Sequence, residues 1–184
     1  MTGNGESLKE RFEAITLPHL DRLYRLAYSR VGNRADAEDL VQETYLKAYR
    51  AFAGLKKEGD PQSWLSQILI NNLRDHFRKS TRRPPLVDLS EDLTEQIAVE
   101  SWTPGPEERF CETEGDPELK AVLNTMPEKL VMPLLLRHIS DLSYEDIASV
   151  LGIPIGTVMS RLSRARDHVR RRLTHRKTDS RNVS

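Results

Sequence analysis

The chain has 184 residues, enough for one or two domains, and no apolar run approaches the roughly 20 residues that a membrane span needs. Its formal net charge is zero, which would argue against a nucleic-acid partner if the charge were evenly spread. Cys111 is the only cysteine, which excludes an internal disulfide, and the first ten residues lack the basic and apolar pattern of a secretion signal. A cytoplasmic protein is therefore expected.

The charge is divided into three blocks along the chain. Residues 1–83 carry 15 Lys and Arg against 11 Asp and Glu, a net charge of +4. Residues 84–118 carry 1 against 11, or −10, and residues 119–184 carry 12 against 6, or +6. The electrostatic field of each block affects the choice of binding partner more than the net charge of the whole chain does. Two basic modules that flank an acidic connector are therefore predicted. Such a connector can repel DNA or imitate it.

Helical periodicity recurs through residues 8–83, and strand patterns are nearly absent. The first pattern follows Pro18, which suits a first helical position, and ends at Gly32-Asn33. Its apolar residues are Leu20, Leu23, Tyr24, Ala27 and Val31. Asn33 is predicted to cap the next helix, whose acidic first turn suits the helix dipole, and Gly54 is predicted to close it. The inward stripe of that helix is Ala37, Leu40, Val41, Thr44, Ala48 and Phe52.

A further helix is predicted to start at Asp60-Pro61, a capping residue followed by proline. Its apolar repeat is Trp64, Leu65, Ile68, Leu69, Leu73 and Phe77, and a basic run at 78–83 follows. Trp64 can pack in the core or stack on a nucleic-acid base, and its place in the apolar repeat favours the core. Three to four helices that share one core are therefore expected over residues 8–83.

The connector begins at Pro84-Pro85 and is predicted to be mostly irregular over residues 84–116, with at most a turn of helix. Cys111 within it is interpreted as an incidental thiol rather than a redox sensor. The five histidines have no ligand-like spacing with one another or with Cys111. No metal and no cofactor are predicted.

The second module is predicted to begin near Asp116, with a short helix that contains Leu119, Val122 and Leu123. Pro127 is expected to open another helix running toward Ile139. Pro133 conflicts with that helix, because an interior proline removes a hydrogen bond and clashes with the preceding turn at a cost of about 3 kcal/mol. A kink or a shortened helix is predicted there.

Residues 144–163, YEDIASVLGIPIGTVMSRLS, have the pattern of a helix-turn-helix. Ala148 is small where two helices must approach, Gly152 supplies the turn, and Val158 anchors the second helix. The remaining inward positions are assigned to Ile147, Leu151, Ile153 and Leu162. In this motif the second helix enters the DNA major groove.

The second helix of the motif continues as a long arginine-rich helix. At about 100° per residue, Val158, Leu162, Ala165 and Val169 fall on one stripe, which is predicted to be buried. The opposite face holds Ser160, Ser163, Arg164, Asp167 and Arg171. Thr157 is the predicted N-cap. Contacts to base edges are assigned to Ser160, Ser163 and Arg164. Contacts to phosphates are assigned to Arg161, Arg166, Arg170, Arg171 and Arg172. The alternative is an ordinary solvated basic face.

The whole pattern resembles the extracytoplasmic-function sigma factors of bacterial RNA polymerase, over nearly all of the chain outside the connector. The stretches that carry the resemblance are LYRLA at 23–27, DAEDLVQET at 36–44, Trp64-Leu65 with Ile68, LSYEDIA at 142–148 and GTVMSRL at 156–162. The resemblance implies an all-α fold in three parts. These are a sigma-2-like domain at 1–83, an acidic linker at 84–116, and a sigma-4-like helix-turn-helix domain at 117–184 whose tail is expected to be disordered from about residue 175.

In that family the first module binds the clamp helices of the largest polymerase subunit and opens DNA at the −10 element. The resemblance assigns polymerase binding to Asp39, Gln42 and Glu43 of this chain, which also lie opposite the predicted apolar stripe. From spacing alone, an ordinary solvated acidic face is the alternative. The −10 contacts are assigned by the same resemblance to Lys56, Lys57, Asn71, Asn72, Arg74, His76, Arg78 and Lys79.

The second module would read the −35 element and touch the polymerase flap. The −35 contacts implied are Thr157, Met159, Ser160, Arg161, Ser163, Arg164, Arg166, Arg170 and Arg171. Met159 departs from the family pattern, which often has a basic residue there, so one base or phosphate contact differs. Pro133 also departs from it. The acidic linker would thread toward the active-site and RNA-exit channels.

Many such factors are held inactive by an anti-sigma protein, and such a partner is expected here, since no separate sensing domain is recognisable. The main alternative is a helix-turn-helix regulator that acts without being a sigma subunit and binds a pseudo-palindrome as a dimer. It leaves the DAEDLVQET helix unexplained. An enzyme is not expected, because the sequence has no glycine-rich phosphate loop, nucleophile elbow or paired metal-ligand motif.

Overall fold

The computed structural model describes residues 7–53, 60–80 and 117–179, which are helical apart from short connections and contain no strand. The all-α prediction is confirmed. These residues form two compact units, each described by itself below. The first unit comprises α1 to α4 together with residues 139–142, and the second comprises the rest of 117–179.

The first unit begins with α1 (Leu8–Thr16), which a capping box starts. The Ser7 hydroxyl accepts from the Glu10 N–H, and the Glu10 carboxylate accepts from the Ser7 N–H. A single 3-10 turn, Leu17–His19, then leads into α2 (Leu20–Val31). Pro18 lies in that turn, so α2 begins after it, two residues later than the proline pattern suggested.

Local caps end α2 and start the two helices that follow it, as predicted. α2 ends at Gly32, whose φ of 76° is the left-handed conformation that glycine adopts without strain. α3 (Arg34–Phe52) begins at Asn33, whose side-chain oxygen accepts from the Asp36 N–H at 2.9 Å. α4 (Pro61–Ser80) begins after Asp60, whose carboxylate accepts from the Ser63 N–H at 2.7 Å. Gly54 lies outside the described residues.

The core of the first unit is formed by the facing apolar stripes of its helices. All six residues predicted for the α3 stripe are buried, and Thr44 satisfies its hydroxyl by donating to the Leu40 carbonyl at 2.7 Å. In α4, Leu65, Leu69 and Leu73 are buried as predicted. Phe77 is 36% exposed, so the apolar repeat ends one turn earlier than the sequence indicated.

The second unit contains four helices: α5 (Pro117–Asn124), α6 (Glu128–His138), α7 (Tyr144–Leu151) and α8 (Ile155–Asp179). Pro127 precedes α6, and its carbonyl accepts from the N–H groups of Leu130 and Val131. α6 continues through Pro133, so the helix is not shortened there, and a kink at Pro133 stays a prediction. Residues 131–136 are all buried. Burial of a leucine contributes about 1.5–3 kcal/mol, so the three in this run together outweigh the proline cost of about 3 kcal/mol.

Candidate nucleic-acid interface

The turn between α7 and α8 has the geometry of a helix-turn-helix. Ser143 caps α7 by accepting from the Asp146 N–H at 3.0 Å. Gly152 ends α7 with a φ of 68°, and the Ile153 N–H donates back to the Ala148 carbonyl at 3.1 Å. This backward hydrogen bond satisfies a carbonyl at the end of α7 and turns the chain into α8.

The start of α8 differs from the prediction. The helix begins at Ile155, and the carbonyl of Pro154 accepts from the N–H groups of Thr157 and Val158 at 2.9 and 3.1 Å. Thr157 is therefore the third residue of the helix and not its N-cap. Its position in the first turn still lies at the positive end of the helix dipole, and the first turn of α8 holds no acidic residue.

One face of α8 is buried in the second unit. Val158, Leu162 and Ala165 are at most 1% exposed, which confirms the predicted stripe at these positions, and Val169 is half-buried. The face turned away from them leaves Ser160, Ser163, Arg164, Asp167 and Arg171 exposed. The Ser160 hydroxyl donates to the Thr157 carbonyl at 3.0 Å, which leaves its oxygen lone pairs available.

The guanidinium groups of α8 follow these serines toward the carboxyl end. Arg166, Arg170 and Arg171 are exposed, and Arg161 is half-buried. Arg170 pairs with Asp167 at 3.6 Å, and the Arg171 Nε donates to the Asp167 carbonyl at 3.3 Å. Burial, with smaller effects from Arg172 and Arg171, lowers the pKa of His168, so this ring adds no positive charge at neutral pH. Over residues 155–172 of α8, the positive side-chain charge therefore comes from arginines.

The acidic face of α3 lies on the first unit and includes Asp39, Gln42 and Glu43, all exposed. The Glu43 carboxylate is 2.8 Å from the Lys47 ammonium. The hydrogen bond from Lys47, outweighing desolvation, lowers the pKa of Glu43, which is ionised at neutral pH. Asp36 is half-buried and accepts from the Asn33 amide at 2.8 Å, so its carboxylate belongs to the helix cap.

Two cavities border this face. One of about 410 Å³ lies between α2 and α3, and it is lined by Leu20, Asp21, Tyr24, Glu38, Val41 and Gln42. The other, of about 110 Å³, lies between α3 and α4 and is lined by Asp36, Asp39, Leu40, Glu43, Asn72, Asp75, His76 and Lys79. The first is lined by apolar side chains, Leu20, Tyr24 and Val41, and by the carboxylates of Asp21 and Glu38.

The residues of α4 predicted to touch DNA do not share one environment. Asn71, Arg74, Arg78 and Lys79 are exposed, and the Arg74 guanidinium donates to the Asn71 side-chain oxygen at 3.3 Å. His76 is half-buried, with its Nε2 3.8 Å from the Asp36 carboxylate. Lys56 and Lys57 lie outside the described residues.

Asn72 requires a correction among these α4 residues. It is 2% exposed, its amide donates to the Thr44 hydroxyl at 2.9 Å, and its oxygen accepts from the Lys47 ammonium. An amide with both ends occupied in the interior has no group to offer a base in this conformation. Its sequence position gave the signal, because Asn72 follows the buried Leu65 by seven residues and Leu69 by three.

Trp64 is half-buried, and its ring centroid lies 6.5 Å from that of Phe52. This contact agrees with packing rather than base stacking. Sequence reasoning missed Lys47, which joins the acidic face of α3 to α4. The spacing of Glu43 and Lys47, four residues apart on a helix, was the signal that could have found it.

Within residues 7–53, 60–80 and 117–179, no group of three or more His, Cys, Asp or Glu side chains is arranged to hold a metal ion. None of the helices in these ranges is long and apolar enough to cross a membrane.

Comparison with known proteins identifies both units. Residues 17–83 match the Sigma-70 region 2 family, and residues 117–169 match the Sigma-70 region 4 family. The chain is 35% identical over 159 residues to the ECF RNA polymerase sigma factor SigE of Mycolicibacterium smegmatis, an alignment that spans 86% of this chain and 60% of that protein. It is 32% identical over 168 residues to the RNA polymerase sigma-H factor of Pseudomonas aeruginosa, covering 88% of this chain and 85% of that one.

A solved structure has the same fold. It is the sigma factor RpoE from Bartonella quintana, solved in complex with the anti-sigma factor NepR. The RpoE chain is 28% identical in sequence to this chain, and the two superpose with a TM-score of 0.70. The likeness covers 90% of this chain and 98% of that one. By its two family regions and its relatives, this chain belongs to the extracytoplasmic-function (ECF) family of RNA polymerase sigma factors.

Proposed function

We propose that this chain binds core RNA polymerase and directs it to promoters whose −35 and −10 elements it reads, opening the duplex at the latter. The observation that supports this most strongly is α8, which buries Val158, Leu162 and Ala165 and leaves Ser160, Ser163 and Arg164 exposed in its first turns. A helix placed in this way behind a tight turn is the element that enters the major groove.

Reading of the −35 element is assigned to the exposed polar face of α8. Arginine can make two hydrogen bonds to guanine, and a serine hydroxyl can donate to or accept from several bases. Arg166, Arg170 and Arg171 continue the helix beyond the serines and supply phosphate contacts, which position the protein without reading sequence. Arg164 is therefore the base reader in this proposal, and Arg170 a phosphate contact.

Opening of the −10 element is assigned to α4. Asn71, Arg74, Arg78 and Lys79 present one amide and three cations to solvent along this helix. Cations can follow a single strand's phosphates, and an amide can bond the exposed edge of a base. Holding a base outside the stack offsets the few kcal/mol lost on unstacking, so strand opening requires no chemical step by this chain.

Polymerase binding is assigned to Asp39, Gln42 and Glu43, which project from one face of α3. The cavity of about 410 Å³ beside them adds the apolar walls of Leu20, Tyr24 and Val41. The Bartonella quintana relative was solved with an anti-sigma factor, and we propose that a protein of that kind covers this same surface here. Both partners would place the chain in the cytoplasm.

A binding experiment with full-length chain and core RNA polymerase tests the polymerase assignment. The double variant Asp39→Ala with Glu43→Ala should lose association with the core enzyme, measured by the anisotropy of fluorescently labelled chain. A charge-matched control, Glu13→Ala with Glu145→Ala, removes two carboxylates from other helices and should bind as the unmodified chain does. Normal binding by the first double variant would show that the acidic face of α3 is not the docking surface.

A further inference from the structure

Over residues 155–172 of α8, two large apolar side chains are exposed. Met159 is 51% exposed and Ile155 is 40% exposed. They are four residues apart, so they lie one turn apart on the same side of the helix. That side adjoins Ser163 and not the buried stripe, so neither side chain serves the core of the second unit.

The charges around this pair indicate what can cover it. The first turn of α8 has no acidic residue, and Arg166 and Arg170, about two and three turns beyond Met159 on the same side, are exposed. Guanidinium groups on the same side of the helix and the positive end of its dipole favour a polyanion over an apolar protein surface. The occupant must therefore combine a phosphate backbone with a small apolar group.

Duplex DNA presents one such group on the base edges of the major groove, the 5-methyl of thymine. We infer that Met159, supported by Ile155, packs on a thymine methyl within the upstream promoter element, an inference that rests on the proposed function. An unbranched thioether can adapt to the position of that methyl. A basic side chain at residue 159 would instead reach a phosphate or a guanine, so methionine changes which base is read.

Deoxyuridine provides the test, because it keeps every hydrogen-bonding group of thymidine and lacks only the methyl. Holoenzyme assembled from full-length chain and core polymerase would first select from duplexes with a randomised upstream segment. The selected duplex would then be remade with deoxyuridine at each thymidine in turn, and the dissociation constants compared. At one position the unmodified holoenzyme should bind roughly fourfold more weakly, the effect of losing one buried methyl.

Variants at the same residue complete the test. Met159→Ser should bind the thymidine and deoxyuridine duplexes equally at that position, whereas Met159→Leu should still prefer thymidine. Equal binding of both duplexes by the unmodified holoenzyme at every position would overturn the inference and leave promoter reading intact. A preference that persists in Met159→Ser would overturn it as well. A selection that yields no upstream sequence at all would instead refute the proposed reading of the −35 element, and the inference with it.

Discussion

Lys47 on α3 donates a hydrogen bond from its ammonium group to the side-chain oxygen of Asn72 on α4, 25 residues further along the chain. The same ammonium contacts the Glu43 carboxylate at 2.8 Å. One cation therefore joins the helix proposed to bind polymerase to the helix proposed to contact the −10 strand. Asn72 completes the link by donating to the Thr44 hydroxyl.

Replacement of Asn72 should destabilise the protein. Asn72→Ala removes a buried amide and, with it, the hydrogen-bond acceptor of the Lys47 ammonium. The free energy of unfolding should therefore fall by about 1–3 kcal/mol. Urea unfolding followed by circular dichroism measures it. The matched control is Asn71→Ala, since Asn71 is exposed and should change stability by no more than about 0.5 kcal/mol. Equal stability of the two variants would remove the structural role assigned to Asn72.

The two glycines at the helix-turn-helix should respond in opposite directions to alanine. Gly152 has a φ of 68°, which costs an L-residue about 1–2 kcal/mol, although no atom lies within 4 Å of an added Cβ. Gly156 lies in the first turn of α8 with equally open space, so Gly156→Ala should stabilise the chain by about 0.5–1 kcal/mol. Thermal unfolding of both variants checks this. A stabilising Gly152→Ala would contradict the turn geometry.

Two arginines of α8 should affect DNA binding differently. Arg164→Ala should weaken discrimination between a promoter and random duplex by about 1–3 kcal/mol, because a base contact is lost. Ser160→Ala should act in the same way. Arg170→Ala should lower affinity for all duplexes alike and reduce the salt dependence of binding. Titrations of holoenzyme with both duplexes at several salt concentrations measure these effects, and equal losses on both duplexes for all three variants would contradict the assigned face.

Stability should depend on pH through His168. Burial lowers the pKa of this ring below its ordinary value of 6.5, so the unfolded chain binds the proton more tightly than the folded chain does. The folded state therefore loses stability as pH falls through about 6.5. Urea unfolding at pH 7 and pH 5 should show a larger loss for the unmodified chain than for His168→Leu. The same loss in both proteins would mean that the ring is not held neutral by its surroundings.

Short-range chemistry explains why many helix ends could be predicted. Asn33 and Asp60 each cap a helix through an N–H three residues away, so the determinant and its partner lie together in the sequence. Ser7 and Glu10 form the same kind of local pattern at the start of α1, although this helix start was not predicted. The buried stripes of α3 and α8 follow from periodicity alone, because each helix turns one face to its unit.

Long-range packing accounts for positions where the structure differs from the predictions made from sequence. The burial of Asn72 depends on Thr44 and Lys47, which lie 28 and 25 residues earlier in the chain. Pro133 is accommodated because its whole segment is buried, a property of the second unit and not of α6 alone. Threonine is a residue type that often caps helices, but at the start of α8 the Pro154 carbonyl, and not the Thr157 side chain, accepts from the first free N–H groups. Side-chain propensity cannot settle such competition between neighbouring cap candidates.

Run-off transcription tests the central claim most directly. Core RNA polymerase would be incubated with a genomic library of promoter-length DNA, with and without the full-length chain, and the transcript starts sequenced. The chain should create starts that share an upstream and a −10 sequence, and Asp39→Ala with Glu43→Ala should abolish them. No chain-dependent starts, together with duplex binding by the chain in the absence of polymerase, would contradict the account and favour a regulator that acts without being a polymerase subunit.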